Sequence, residues 1–266
     1  MRPAWIGESP AGTSRGTLTP TSLGTRRLTA APDRRLVVAL DFERLGPAIE
    51  LARELRGVAG ILKVGSQLFT TEGPCAVQKL AGLGFDIFLD LKFHDIPNTV
   101  AGAVAAAAKL PRVRLLTLHA SGGVEMMRAA REAAGGGQAR PRLLAVTILT
   151  SLDVKSLRGI GIAGSPAARA LALARLAQKS GMDGVVASVH EVRAIRRACG
   201  PKFLIVTPGI RPAASSANDQ SRVATPLAAV RAGADYLVVG RPITAAQNPR
   251  TAALAIAQEI APAQNR

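Results

Sequence analysis

Asp90, Lys92 and Asp95 bring three charged side chains into six consecutive positions. They follow the apolar run that begins at Ile87, which is typical of a buried strand, and they precede a Pro-Asn turn. Because side chains alternate faces along a strand, Asp90 and Lys92 should point to the same side, about 7 Å apart along the backbone. Burying two opposite charges costs several kcal/mol. The stretch therefore predicts either a structural ion pair or a charged array that acts on a substrate.

The segments that must position this array alternate between apolar strands and helices. The predicted strands cover residues 36–41, 61–65, a third from 87, 113–119, 143–149, 184–187, 203–207 and 236–240. The predicted helices cover residues 47–56, 73–83, 100–109, a segment ending near 134, one from 166, 190–199, 226–232 and 247–260. This alternation predicts a single-domain α/β fold, a (β/α)₈ TIM barrel over residues 34–266. An open doubly wound sheet is the alternative, but no Gly-x-Gly-x-x-Gly follows the first strand.

Composition narrows the class of protein. The 266 residues are 48% apolar but only 3% aromatic, so Ala, Val, Leu and Ile must fill the core. No apolar run approaches the 18 or so residues of a membrane helix, so we expect no membrane partner. Cys75 and Cys199 are too few for a disulfide scaffold, and a reducing cytoplasm is the expected location. The three histidines show no metal-ligand spacing, so we expect no metal site.

The formal net charge of +16 raises the question of nucleic-acid binding. The basic residues form no run with interleaved aromatics, and one Trp and one Tyr provide no stacking platform. We therefore expect no specific nucleic-acid partner, and the charge suits a protein that attracts small anions. Residues 1–33 are rich in Gly, Pro, Ser, Thr and Arg without an apolar period, which predicts a disordered N-terminal extension.

Polar residues stand at the ends of most predicted strands, where a TIM barrel places its active site. Those residues are Asp41, Lys63, Asp90, Lys92, Asp95, His119, Thr150, Ser151, Arg211 and Arg241. The loops after strands seven and eight commonly bind phosphate in this fold, and here they supply Gly209, Gly240 and Arg241. These residues predict a phosphorylated small substrate. Arg211 could bind that substrate or cap its own loop.

Several separate motifs, in order along the chain, resemble the orotidine 5′-phosphate decarboxylase family. The resemblance covers almost all of residues 35–245, and its longest motif is Asp-Leu-Lys-Phe-His-Asp-Ile-Pro-Asn-Thr at 90–99. Shorter motifs lie at residues 39–41, 63–65, 118–123, 149–151, 207–212, 219–222 and 239–242. The family resemblance implies decarboxylation of orotidine 5′-phosphate to uridine 5′-phosphate without a cofactor, the last step of pyrimidine synthesis. It also implies a homodimer in which Asp95 and Thr99 of one subunit reach the other's site.

The resemblance assigns roles to individual residues. The implied catalytic residues are Lys92, Asp90, Asp95 and Lys63. The implied substrate-binding residues are Asp41, Lys63, Thr99, Thr150, Pro208, Arg211, Gln220, Gly240 and Arg241. Asp41 and Lys63 would hold the ribose hydroxyls, and Thr150 would contact the pyrimidine. Gln220 would span pyrimidine and phosphate, Gly240 and Arg241 would bind the phosphate, and the loop 211–224 would act as a lid.

Two other functions compete with this interpretation. Sugar-phosphate aldolases resembling hexulose-phosphate synthase share the fold and the Asp-x-Lys-x-x-Asp pattern, but they use a divalent metal and need a carboxylate on the second strand. Lys63 occupies that strand here and would repel a cation. A basic nucleic-acid-binding barrel would account for the net charge but not for the charged residues at the strand ends.

Overall fold

The computed structural model describes residues 33–137, 139–212 and 224–261. Eight parallel strands close into a barrel in sequence order, from β1 round to β8. The strands are β1 Asp33–Ala39, β2 Ala59–Gly65, β3 Asp86–Phe93, β4 Val113–His119, β5 Arg142–Val146, β6 Gly184–Val186, β7 Leu204–Thr207 and β8 Tyr236–Val239. The predicted (β/α)₈ barrel is confirmed. The extension predicted for residues 1–33 lies outside the described residues except for Asp33, which begins β1.

Helices cover the outside of the barrel between successive strands. They are α1 Leu45–Glu54, α2 Ser66–Glu72, α3 Pro74–Gly82, α4 Pro97–Ala108, α5 Gly123–Ala133, α6 Val154–Gly159, α7 Pro166–Lys179, α8 Val189–Cys199, α9 Pro226–Ala232, α10 Arg241–Thr244 and α11 Pro249–Ile260. None of the helices in the described ranges is long and apolar enough to cross a membrane.

Alternation along the strands divides the apolar side chains between two cores. The inner core fills the interior of the barrel. It consists of residues from seven strands: Val37, Ala39, Ile61, Phe88, Leu115, Leu144, Val206 and Val238. The neighbouring residues on the same strands, such as Val38, Leu62 and Leu89, face the helices and belong to a larger outer core. The packed interior leaves the carboxyl ends of the strands as the place where polar side chains can gather.

Several element boundaries differ from those predicted. The helix predicted for residues 73–83 is α3, and α2 precedes it. The two are separated at Gly73, whose positive φ of 61° with a ψ of −154° is a conformation that glycine adopts without strain. α4 begins at Pro97 rather than at residue 100, because proline is well tolerated in the first turn of a helix. β5 ends at Val146, three residues before the predicted end at 149.

Candidate active site

A cavity of about 520 Å³ opens at the carboxyl ends of the barrel strands. Its floor is apolar, with Ala39, Phe88 and Val238 of the inner core at its base. The polar and loop residues that line it are Asp41, Lys63, Asp90, Lys92, Thr150, Pro208, Gly209, Arg211, Gly240 and Arg241. The cavity therefore combines residues from the ends of β1, β2, β3, β5, β7 and β8.

Four charged side chains of alternating sign form a chain along one wall of this cavity. Lys63 Nζ lies 3.1 Å from Asp41 Oδ1 and 3.5 Å from Asp90 Oδ2. Lys92 Nζ lies 2.8 Å from the same Asp90 oxygen. The Lys63 and Asp90 side chains are each 11% exposed, whereas that of Lys92 is 35% exposed. The network is therefore buried at its centre and accessible at both ends, at Asp41, whose side chain is 59% exposed, and at the Lys92 ammonium group.

β3 departs from a regular strand where it supplies these charges. Leu89 pairs with Leu116 of β4 and Phe93 pairs with Leu118, so four residues on β3 are matched by two on β4. Lys92 lies within this irregularity, and its φ of 51° is left-handed. The predicted side-by-side placement of Asp90 and Lys92 is confirmed, but an irregular backbone produces it rather than simple alternation.

Thr117 of β4 completes the hydrogen bonding of the irregular segment. Its hydroxyl donates to Asp90 Oδ1 over 2.9 Å and accepts the backbone N–H of Lys92 over 2.9 Å. The side chain is fully buried. Both oxygens of Asp90 therefore have hydrogen-bond donors on the barrel wall.

Burial alone would raise the pKa of Asp90, because it disfavours the charged carboxylate. The ammonium groups of Lys63 and Lys92, together with hydrogen bonds from Lys92 and Thr117, outweigh burial and hold that pKa below its ordinary value. Asp90 is therefore a carboxylate at neutral pH. It can accept the Lys92 hydrogen bond but cannot donate a proton.

His119 at the end of β4 lies behind this network. Its ring centroid is 5.3 Å from that of His94, with the planes tilted by 31°. Burial lowers the pKa of His119, electrostatic interactions with His94 and Lys92 lower it further, and the interaction with Asp90 opposes them. The lowered pKa favours a neutral imidazole at pH 7.

Two glycines lie beside the Asp41–Lys63 ion pair. A Cβ built on Gly65 would lie 3.0 Å from Lys63 Nζ and 3.4 Å from Asp41 Oδ1. A Cβ on Gly240 would lie 3.7 Å from Asp41 Oδ2, an ordinary contact. Gly65 is thus the position where any side chain would crowd the Asp41–Lys63 pair.

The structure brings most of the predicted site residues together in one cavity. Those that line it are Asp41, Lys63, Asp90, Lys92, Thr150, Pro208, Arg211, Gly240 and Arg241. Asp95 and Thr99 are exposed and do not line it. The Asp95 carboxylate instead accepts the backbone N–H of Ile96 over 2.6 Å. Gln220 and most of the predicted lid lie outside the described residues.

Sequence analysis did not single out Thr117 or the apolar side of the cavity. Ile148, Leu149 and Val186 line that side. A signal for Thr117 was present, since it is the one polar residue among Leu115, Leu116 and Leu118 and shares the inward-facing phase of His119. No comparable signal marks the apolar lining, which is common to every buried strand end.

Comparison with known proteins assigns the chain to a family. The family model described as "Orotidine 5'-phosphate decarboxylase / HUMPS family" matches residues 34–256. The chain belongs to this family. A relative in Halorhodospira halophila, named orotidine 5'-phosphate decarboxylase, is 55% identical over 229 residues, which are 86% of this chain and 97% of the relative. A relative of the same name in Nitrosococcus oceani is 52% identical over 226 residues, covering 85% of this chain and 97% of the relative.

Solved structures of the orotidine 5'-phosphate decarboxylase/HUMPS family share the barrel. The crystal structure of orotidine 5'-phosphate decarboxylase from Lactobacillus acidophilus matches with a TM-score of 0.76 and 40% identity, covering 86% of this chain and all of the other. That from Pyrococcus horikoshii OT3 matches with a TM-score of 0.69 and 26% identity, covering 85% of this chain and 98% of the other. The predicted family resemblance is confirmed.

Proposed function

We propose that this protein decarboxylates orotidine 5′-phosphate to uridine 5′-phosphate and CO₂, the last step of pyrimidine biosynthesis. The observation that carries the proposal is the Lys92 ammonium group, which is held 2.8 Å from the buried Asp90 carboxylate and lines the cavity. The names of the relatives at 52–55% identity support the same reaction. The enzyme is accordingly a carboxy-lyase.

The reaction needs a positive charge and a proton at the same point. Cleavage of the bond between C6 and the carboxylate releases CO₂ and leaves the electron pair on C6 of the pyrimidine. An adjacent ammonium stabilises this carbanion as it forms, and its N–H then supplies the proton that converts it to product. Lys92 can perform both tasks, because Asp90 and Lys63 fix its surroundings before the substrate arrives. Such preorganised charge avoids reorganisation at the moment of reaction.

The opposite side of the cavity suits the nucleotide's phosphate and ribose. Arg211 and Arg241 follow the neighbouring strands β7 and β8 and line the cavity together. A guanidinium fork can bind a phosphate through two parallel hydrogen bonds. Asp41 and Lys63 line the same cavity and are proposed to contact the ribose hydroxyls. Thr150 and Pro208 also line the cavity, and Thr150 is proposed to contact the pyrimidine.

The proposal includes a homodimer whose partner supplies Asp95 and Thr99. Six consecutive residues, 94–99, are exposed directly after the charged strand. Ile96 among them is 66% exposed, which is a large apolar exposure next to a site. A second copy of the chain would cover Ile96 and would bring its own Asp95 and Thr99 to this subunit's cavity. This subunit's Asp95 and Thr99 do not line that cavity.

Subunit complementation tests this arrangement. Lys92→Ala and Asp95→Ala variants, each with little activity alone, are mixed under conditions that exchange subunits. In a mixed dimer one site receives both defects and the other receives none, so activity should return. If the two residues served the same subunit's site, mixing would restore nothing.

The metal-dependent aldolase alternative finds less support. Within the described ranges, no group of three His, Cys, Asp or Glu side chains is placed to hold a metal ion. Lys63 occupies the β2 position where that mechanism needs a carboxylate, and its ammonium would repel a divalent cation. We therefore propose that turnover requires no metal or other cofactor.

The direct experiment follows the loss of absorbance of orotidine 5′-phosphate with the purified protein. Uridine 5′-phosphate and CO₂ should form in equal amounts, with the same rate before and after exhaustive chelation. Hexulose phosphate, the substrate type of the alternative, should be unchanged. Absence of turnover, or activity that chelation removes and added metal restores, would contradict the proposal.

A further inference from the structure

Thr117 is a buried polar residue for which the reaction chemistry above has no use. It lies in the middle of β4, with no exposed surface, between the backbone and the carboxylate of the catalytic strand. Its hydroxyl oxygen is 2.9 Å from Asp90 Oδ1 and 2.9 Å from the Lys92 backbone nitrogen.

The direction of both hydrogen bonds follows from the chemistry of the partners. A backbone N–H can only donate, so the Thr117 oxygen accepts from Lys92. An ionised carboxylate can only accept, so the single hydroxyl proton must go to Asp90. The hydroxyl thus joins the backbone of one charged residue to the side chain of the other.

Each of the two hydrogen bonds fixes one feature that β3 alone does not determine: the backbone conformation of Lys92 or the orientation of the Asp90 carboxylate. The Lys92 N–H has lost a regular ladder partner, because β3 and β4 fall out of register between Leu89 and Phe93. The left-handed φ of 51° at Lys92 is unfavourable for a residue with a side chain and persists only where surrounding contacts hold it. The bond to Asp90 Oδ1 sets the carboxylate plane, which turns Oδ2 toward Lys92 and Lys63.

We propose that Thr117 is a positioning residue for decarboxylation. It holds the left-handed backbone of Lys92 and the plane of the Asp90 carboxylate, so that the Lys92 ammonium stays at the reacting carbon. This inference rests on the proposed function for its kinetic consequence. The geometry on which it stands does not involve the substrate.

Thr117→Val removes the hydroxyl and keeps the shape of the side chain. We expect kcat for orotidine 5′-phosphate to fall about 10- to 100-fold, the size expected for a lost hydrogen bond to a charged group. KM should stay within about threefold, because the arginines that follow β7 and β8 are untouched. Thr117→Ser, which keeps the hydroxyl, should retain kcat within about threefold.

Thr147→Val is the matched control. Thr147 is also a buried threonine of the barrel, directly after β5, and its hydroxyl donates to the Val186 carbonyl over 3.0 Å. The control loses a hydrogen bond of similar length without touching Asp90 or Lys92. It should lower thermal stability as Thr117→Val does, while kcat stays within about twofold of the wild type.

Equal kcat losses in Thr117→Val and Thr147→Val, or a Thr117→Val kcat within about threefold of the wild type, would overturn the proposal. If Thr117→Val does not fold, Thr117→Cys replaces it, because a thiol is a weak donor and acceptor of similar size. The same thresholds then apply.

Wild-type protein without activity would contradict the proposed function alone. The positioning role would then be decided by the crystal structure of Thr117→Val. A Lys92 that has left the left-handed region, or an Asp90–Lys92 contact that has opened, supports the role. An array unchanged from the wild type contradicts it.

Discussion

Charged side chains occupy both ends of the barrel, but they are bonded in different ways. At the amino-terminal end, Asp183 directly precedes β6 and accepts two hydrogen bonds from Arg140, at 2.6 and 2.7 Å. The same carboxylate also accepts the Leu143 backbone N–H over 2.8 Å. Asp235, directly before β8, accepts from Arg196 and from the Ile205 backbone N–H. Both carboxylates connect neighbouring strands: Asp183 accepts hydrogen bonds at both oxygens, and Asp235 accepts both of its bonds at Oδ2.

In the charge network at the carboxyl-terminal end the cations are Lys63 and Lys92, whose ion-pair partners within the described chain are carboxylates. Lys92 Nζ has Asp90 as its ion-pair partner, and Lys63 Nζ has Asp41 and Asp90. An ammonium group has three N–H donors, so Lys92 retains donors directed away from the network. The comparison shows that burial and pairing alone do not distinguish a structural from a chemical role. What distinguishes the two roles is whether hydrogen-bond donors remain that face a cavity and can bind a ligand.

Lys92→Met should produce the largest effect of any single change at the carboxyl-terminal end. It removes the charge that stabilises the carbanion and the proton that converts it to product, so kcat should fall by about 10³-fold or more. The measurement is the initial rate with orotidine 5′-phosphate, alongside circular dichroism and binding of uridine 5′-phosphate to confirm an intact fold and phosphate site. Activity within about tenfold of the wild type would remove Lys92 from the mechanism.

Asp183→Asn is the corresponding change at the amino-terminal end. It weakens the bidentate pair with Arg140 and should reduce the free energy of unfolding by about 2–3 kcal/mol, measured by urea denaturation. Because the pair lies at the far end of the barrel from the cavity, kcat for the folded fraction should not change. A selective loss of kcat without a loss of stability would show that the two ends are not separable in function.

Thr207→Val tests a buried hydroxyl that takes no part in the charged networks at either end of the barrel. Thr207 is fully buried at the end of β7, and its hydroxyl has no hydrogen-bond partner in the part of the chain that the structure describes. Replacing an unsatisfied hydroxyl by a methyl group of similar size should raise the free energy of unfolding by about 1 kcal/mol. A destabilised variant, measured by the same urea titration, would indicate that the hydroxyl has a partner in solution.

His119→Asn should show the smallest effect, visible in the pH dependence of stability. The pKa of His119 is lower in the folded protein than in the unfolded chain, chiefly because of burial, with His94 and Lys92 adding to it and Asp90 opposing. The unfolded chain therefore binds more protons, and stability falls as pH drops from above about 6.5 through the folded pKa. The wild type should lose more stability than His119→Asn between neutral pH and pH 5. Parallel curves would contradict this assignment.

The fold could be predicted from sequence because each βα unit carries its own local pattern. The strand predicted for residues 113–119 is β4, and the helix predicted for residues 226–232 is α9, each with the bounds predicted. The gathering of Asp90, Lys92, Lys63 and Asp41 also follows from their places at strand ends. These inferences need only the chain's own periodicity and the geometry common to the fold.

The features that escaped prediction depend on contacts between distant segments. The left-handed Lys92 depends on Thr117, which lies on the next strand and forms part of no short motif. The short helix α2 also escaped prediction, whereas the start of α3 next to Gly73 was predicted. The exposure of Ile96 is meaningful only if a second subunit covers it, which a single chain's pattern cannot express.

The central claim is that an ammonium group on β3 stabilises the C6 carbanion left by CO₂ and then delivers a proton to it. Turnover of orotidine 5′-phosphate in D₂O tests it most directly, because lysine N–H protons exchange with solvent and the deuteron is kept once bonded to carbon. Nuclear magnetic resonance of the product should show uridine 5′-phosphate with one deuterium at C6 and ordinary hydrogen at C5. Deuterium at C5, or ordinary hydrogen at C6 in a product formed in D₂O, would contradict the account.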